Sequence, residues 1–192
     1  MSEDARRPDL SGAGYFDTRT ALLVHALSIA RPTGLFLEFG VGWGTTINQI
    51  AAKRAGPVYG FDSFHGLPEA WHIFEKGAFA CQQLPSVPGN VELVVGMFAD
   101  TLPGFLASHP GNASFVHVDC DLYSSTRCVL DHLEPRLSAS SVILFDELIG
   151  YNGWEDHEYR AFTEFIERTG KPFRYDGRVT GDEQGQVCVV LT

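Results

Sequence analysis

The stretch from Leu35 to Asp62 admits few folds. LFLEFG reads as a short apolar strand, VGWG as a glycine-rich turn, and TTINQIAAKRAG as a helix with Ile47, Ile50 and Ala51 on one face. Gly56 and Pro57 stop that helix, and VYGFD follows as a second strand. A strand, a crossover helix and another strand of this length make a β-α-β unit with parallel strands, which puts the chain in the α/β class.

The alternation continues. VELVVG (91–96), SFVHVD (114–119) and SVILFD (141–146) read as further strands, and PFRYDG with QVCVVLT as a closing hairpin. Helices are predicted over 18–30, 101–109 and 123–137, and around Tyr159, Phe162, Phe165 and Ile166. The expectation is a Rossmann-like, mostly parallel seven-stranded sheet with helices on both faces and a C-terminal antiparallel hairpin. A length of 192 residues fits a single domain over 1–192. Residues 1–14 read as a flexible arm. Residues 63–90, rich in Pro, Gly and aromatics, read as a lid-like insertion, since a loop this long inside a compact domain is usually functional.

A net charge of −10, from 24 acids against 14 bases, argues against a nucleic-acid partner, which would require a basic face. No run approaches the roughly 18–20 apolar residues that cross a bilayer, and the polar N-terminus lacks the apolar core of a signal peptide. Cys81, Cys120, Cys128 and Cys188 are scattered and read as reduced thiols. A cytoplasmic protein without a membrane or nucleic-acid partner is therefore expected.

Glu38-Phe39-Gly40-Val41-Gly42-Trp43-Gly44 stands where the first of these strands turns into its helix. Glycines there let a ligand approach the backbone, and the helix N-terminus offers unpaired N–H groups. Asp62 ends the next strand, where an acid meets ribose hydroxyls. A dinucleotide loop reads G-x-G-x-x-G, whereas here the third glycine comes one residue early. Glu38 opposes a pyrophosphate but suits the amino group and sulfonium of S-adenosylmethionine, so that cofactor is favoured over a nicotinamide. Two rivals stay open: an NAD(P)-dependent oxidoreductase, and a protein that binds S-adenosylmethionine without catalysis.

Two further acidic groups fall at strand ends, Asp119-Cys120-Asp121 and Asp146-Glu147. With Glu38 and Asp62 they would form an acidic rim, which attracts a cationic cofactor. Asp119, Asp146 and Glu147 also resemble a Mg²⁺ site, because a hard cation prefers oxygen ligands. Asp121 is as well suited to capping the following helix. His117 reads as a core or sheet-face histidine, and His65 and His72 as lid residues.

LEFGVGWGTT, YGFDSFHGLPEAW, HVDCDLYSST and ILFDELIGYNGW, in this order, resemble the macrocin O-methyltransferase-like branch of class I methyltransferases. The resemblance runs from about Leu35 to the C-terminus. It implies S-adenosylmethionine, a small hydroxylated natural product or sugar as acceptor, Mg²⁺ assistance and, from family habit, a homodimer. Carried over by position, Glu38, Gly40, Gly42 and Gly44 would hold the methionine moiety. Asp62 and Ser63 would meet the ribose, and Gly96, Met97 and Phe98 the adenine. Asp119, Asp146 and Glu147 would be the metal site, with Asp119 or Asp121 taking the acceptor's proton. The family commonly has two aspartates where this chain has Asp146-Glu147, and the region before the first of these strands is short.

Overall fold

The structure, a computed structural model, describes residues 7–179 and 185–192. Among the described residues there are eight strands and five α-helices. In chain order the first half holds β1 (Gly14–Phe16), α1 (Arg19–Ile29), β2 (Leu35–Phe39), α2 (Thr45–Lys53), β3 (Val58–Asp62) and β4 (Val91–Val95). Then come α3 (Phe98–Ser108), β5 (Ala113–Val118), α4 (Tyr123–Leu133), β6 (Val142–Ile149), α5 (Glu158–Thr169), β7 (Phe173–Val179) and β8 (Gly185–Leu191).

The strands form one sheet in the order β1-β7-β8-β6-β5-β2-β3-β4. β1∥β7, β2∥β3, β3∥β4, β2∥β5 and β5∥β6 are parallel, while β8 runs antiparallel to both β6 and β7. The chain builds outward from β2 to β4 and then crosses back to add β5 on the other side of β2. That reversal opens a crevice beyond the carboxyl ends of β2 and β5, where open α/β sheets bind ligands.

The central strands are buried along their whole length, so each face carries its own apolar layer. Leu37, Phe39, Val116, Val118, Ile143 and Phe145 pack toward the layer of Leu130, Leu133, Phe162 and Phe165 from α4 and α5. The alternate residues Phe36, Phe115, Val142 and Leu144 pack with Leu22, Leu23, Ile47 and Ile50 from α1 and α2. This period of two decides on which side each functional side chain emerges.

Three expectations are adjusted. The sheet has eight described strands rather than seven, because Gly14–Phe16 adds a short parallel edge against β7. Of the expected arm over 1–14, residues 1–6 lie outside the described residues. Within the rest, Leu10 is only 8% exposed and packs in the core, while Arg7, Asp9, Ser11 and Gly12 are exposed. α4 stops at Leu133, where Glu134–Arg136, holding Pro135, continues as a short 3-10 turn. The tip of the closing hairpin, 180–184, also lies outside the described residues.

Segment 63–90 carries no helix or strand beyond an isolated bridge between Trp71 and Phe74. It is nonetheless held by its own backbone. Leu67 N donates to Ala78 O and Gly77 N to Leu67 O, each at 2.9 Å, and Cys81 N donates to Phe64 O at 3.1 Å. Among the described residues no helix is long and apolar enough to cross a membrane. The four cysteines are free.

Candidate functional site

The glycine turn brings β2 and β5 together. Gly40 adopts φ 91° and Gly42 φ 50°, left-handed conformations that suit glycine. Asp119 N donates to Phe39 O at 2.8 Å, and a Cβ on Gly40 would lie 1.6 Å from Asp119 O. Only glycine lets the two strand ends approach so closely. Asp62 fixes the turn: Val41 N and Gly42 N donate to its Oδ2 at 2.9 and 2.8 Å, and Phe64 N donates to Oδ1 at 2.7 Å. One carboxylate thus orders both the glycine turn and the entry to segment 63–90.

A cavity of about 450 Å³ opens at this point, within the usual range of small-ligand sites. It is lined by Gly40, Gly42, Asp62 and Ser63, by Gly96, Met97 and Phe98, and by Asp119, Asp121 and Glu147, and Trp71, Phe74 and Phe79 from segment 63–90 line it as well. Trp43, 70% exposed at the rim, also lines the cavity and was not among the expected site residues.

Glu38 and Gly44 are not in this lining. Gly44 is the N-cap of α2. Glu38 is fully buried beneath the turn, on the α1–α2 side of β2, where its Oε1 lies 2.9 Å from His117 Nδ1. Burial pushes its carboxyl up, with the His117 contact opposing.

The expected trio of Asp119, Asp146 and Glu147 is divided. Ligand-type atoms converge in two groups, His117/Asp119/Asp146 and Asp119/Asp121/Glu147, with Asp119 common to both. Neighbouring residues of a strand point to opposite faces, so Asp146 and Glu147 cannot share surroundings. Asp146 joins the polar row on the α1–α2 side. It pairs with Arg19 and accepts from Gln186 Nε2 at 2.6 Å, and its Oδ1 lies 3.7 Å from His117 Nε2. Burial works against its charge, but His117 and Arg19 hold its carboxyl below the ordinary range. His117, fully buried between two acids, is held well above its usual value despite the opposing effect of burial.

Glu147 faces the other way, toward α5. Its N donates to Glu158 Oε2 at 3.3 Å, and its own Oε2 is buried without a hydrogen-bond partner. Burial, then repulsion from the neighbouring acids, pushes the carboxyls of Asp119, Glu147 and Glu158 well up. Asp121 is pushed up to about 6, burial being the largest cause. These acids crowd together, with His117 near Asp119 only partly offsetting the repulsion, whereas Asp146 is paired with Arg19 and lies beside His117.

Asp121 also sits in a strained turn rather than a helix cap. Its φ is 62°, and Leu122 N donates to Cys120 O at 2.6 Å across it. Left-handed backbone at a residue other than glycine concentrates at functional sites. No side-chain cap bond starts α4.

Sequence reasoning missed Arg19 and Glu158, and undervalued His117. The helical period held a signal for the first two. Arg19 falls three and four residues before the buried Leu22 and Leu23, and Glu158 four and seven before the buried Phe162 and Phe165. A charged residue on a buried stripe requires a partner.

Residues 37–148 match the family model described as a methyltransferase domain. The chain belongs to the methyltransferase domain family. The glycine turn, Asp62 and the Asp119–Asp121 turn all fall inside the matched span of this family member. It is 30% identical over 157 residues, 67% of its length, to 8-demethyl-8-(2,3-dimethoxy-alpha-L-rhamnosyl)-tetracenomycin-C 4'-O-methyltransferase from Streptomyces olivaceus. It spans 58% of that relative. Among solved structures it is similar to CalS11, a calicheamicin methyltransferase, with TM-score 0.65 and 23% identity over 90% of this chain and 76% of that one. An apo structure of CalS11, described as a TDP-rhamnose 3'-O-methyltransferase, gives TM-score 0.60 and 23% identity over 90% and 77% of the chains. At this identity the likeness shows the fold. The nicotinamide reading gains no support from these matches.

Proposed function

We propose that this chain binds S-adenosylmethionine in the cavity and transfers its methyl group to a hydroxyl of a small natural product or sugar. The observation that carries the reading is the continuity of one cavity from the glycine turn and Asp62 to the Asp119–Asp121–Glu147 group. The family match and the O-methyltransferase relative support it.

Asp62 and Ser63 meet the ribose hydroxyls, Met97 and Phe98 flank the adenine, and Gly40 and Gly42 leave room for the methionine moiety. Glu38 acts on this end from below, through the turn it underlies and through His117, rather than by direct contact. The acidic lining favours the cationic sulfonium over the neutral thioether left after transfer.

Methyl transfer from a sulfonium is an in-line displacement: the acceptor oxygen forms a bond to the methyl carbon as the carbon–sulfur bond breaks, with both electrons going to sulfur. The protein must therefore hold the acceptor oxygen on the axis behind the methyl group. The hydroxyl also loses a proton, and Asp121, which lines the cavity, is placed to take it.

The donor set fits a divalent cation at Asp119, Asp121 and Glu147, since all three are oxygen donors and Glu147 Oε2 is buried and unpartnered. Asp146 does not fit, being taken up by Arg19, Gln186 and His117. Bound Mg²⁺ would lower the pKa of the acceptor hydroxyl. A small-molecule partner and no nucleic acid or membrane agree with the acidic charge.

Incubation with S-adenosylmethionine and a panel of hydroxylated acceptors, followed by mass spectrometry, tests the reading. It expects a product one methyl group heavier and a kcat lowered about 10²–10⁴-fold in Asp121→Asn. Unchanged turnover in that variant would remove Asp121 from the chemistry.

A further inference from the structure

Resting on that reading, we infer that Glu158 is a positioning residue of the cation site. One oxygen of its carboxylate fixes Glu147, and the other is left to accept from a water of the bound cation.

The packing of α5 on β6 makes the two acids meet. Two residues along β6, from Phe145 to Glu147, advance about 6.6 Å on one face of the strand. Four residues back along α5, from Phe162 to Glu158, cover about 6 Å on one face of the helix. The rings of Phe145 and Phe162 lie 5.2 Å apart at 59°. That apolar contact sets the two acids, one step further on, against each other, and Glu147 N donates to Glu158 Oε2 at 3.3 Å. Ala161, Phe162 and Phe165 are buried behind it, so the carboxyl is presented from a packed helix rather than from a loop.

An apolar side chain at position 158 would continue this stripe without desolvating a polar group. Glu158 instead buries its carboxyl completely, and the charges that bear on it most are those of Asp121, Asp146 and Asp119. Among the described residues it forms no ion pair, and the bond from Glu147 N is the one hydrogen bond of its carboxyl. Its Oε1 is buried without a partner, as is Glu147 Oε2. Buried acceptors left open are rare and costly. A divalent cation held by Asp119, Asp121 and Glu147 relieves both, since it brings positive charge among the acids and a hard cation such as Mg²⁺ keeps waters whose hydrogens need acceptors. Groups one layer out from a metal orient its ligands and raise its affinity.

The test is calorimetric titration of the full chain with Mn²⁺ alone, beside urea unfolding of the metal-free protein. Glu158→Gln keeps an acceptor for Glu147 N but gives up the second acceptor oxygen and the charge. Its Mn²⁺ affinity is expected to fall about tenfold. The urea midpoint of the metal-free variant is expected to hold or rise, because one uncompensated buried acid is gone. A merely structural Glu158 gives the opposite pattern, a lowered midpoint with Mn²⁺ affinity kept. Glu164→Gln removes the same charge from the exposed face of α5, where Glu164 pairs with Arg160, and is expected to keep Mn²⁺ affinity within about threefold. Three results overturn the inference: Mn²⁺ affinity within about threefold of wild type in Glu158→Gln, a lowered midpoint in that variant, or an equal loss of affinity in both variants. A wild type that binds S-adenosylhomocysteine but no Mn²⁺ overturns this inference alone. One that binds neither overturns the methyltransferase reading as well.

Discussion

Arg19, in the first turn of α1, and Asp146, on β6, form a partly buried ion pair across 127 residues of chain, with side chains 34% and 12% exposed. The pair fastens α1 to the carboxyl end of the sheet, next to the cavity. It also engages the Asp146 carboxylate on the α1–α2 side of the sheet, the face opposite Glu147.

Removing either partner has unequal costs. Arg19→Ala leaves Asp146 with His117 and Gln186, and Arg19 is itself about one-third exposed, so about 1–2 kcal/mol of stability is expected to be lost after allowing for solvent screening. Asp146→Asn removes the carboxylate that Arg19 pairs with and one of the two acids beside the buried His117, which keeps Glu38, and a loss of about 2–4 kcal/mol is expected. Urea unfolding measures both. Equal, negligible effects would show that the pair does not anchor α1.

The two carboxylate groups separate in metal binding. Asp146→Asn is expected to keep Mn²⁺ affinity within about threefold, whereas Glu147→Gln loses about tenfold or more. Calorimetric titration with the metal alone reads this directly. The reverse ranking would return Asp146 to the ligand set.

Gly40→Ala tests the approach of β2 to β5. The added Cβ meets Asp119 O at 1.6 Å on a backbone with φ 91°, so the strand ends must separate. A stability loss of about 2–4 kcal/mol is expected, together with loss of cofactor binding. Wild-type thermal unfolding in this variant would mean that the turn relaxes at little cost.

The acid cluster gives stability an unusual pH dependence. Asp121 has a folded pKa of about 6 against 3.8 for the ordinary group. A raised pKa means that the folded state holds its proton more tightly than the unfolded chain does. The contribution is therefore complete below about 3.8 and lost as pH rises through about 6. Asp119, Glu147 and Glu158 shift in the same direction. Asp146 shifts in the opposite sense, so its contribution is present above 3.8 and disappears in stronger acid. Unfolding free energy without metal should rise as pH falls from 7 toward about 5, and Asp121→Asn should flatten part of that rise. A flat stability curve over this window would contradict the crowding of uncompensated acids.

Much of this arrangement was legible in the sequence. The β-α-β unit at Leu35–Asp62 fixed the class, and the pattern of apolar strands located six of the seven strands that run in one direction. β1 escaped because three residues pairing with a strand more than 150 positions away leave no local pattern. Gly40, Asp62 and the Asp119–Asp121 turn were visible because short glycine-rich and acidic strand ends have few structural uses. The division between Asp146 and Glu147 was implicit in their adjacency on a strand. Which face each took required knowing that α1 brings Arg19 to one side and α5 brings Glu158 to the other. Such contacts over long sequence separations are set by packing and not by local spacing.

Asp62 is the residue on which the account turns, since it orders the glycine turn and faces the proposed ribose site. Calorimetric titration of the purified protein with S-adenosylhomocysteine, repeated with Asp62→Ala, tests it most directly. The account expects binding in the micromolar range, weakened about tenfold to a hundredfold in the variant, as the loss of hydrogen bonds to a charged group costs about 1.5–3 kcal/mol. No heat of binding from a folded wild-type sample would contradict the proposed cofactor and, with it, the methyl transfer.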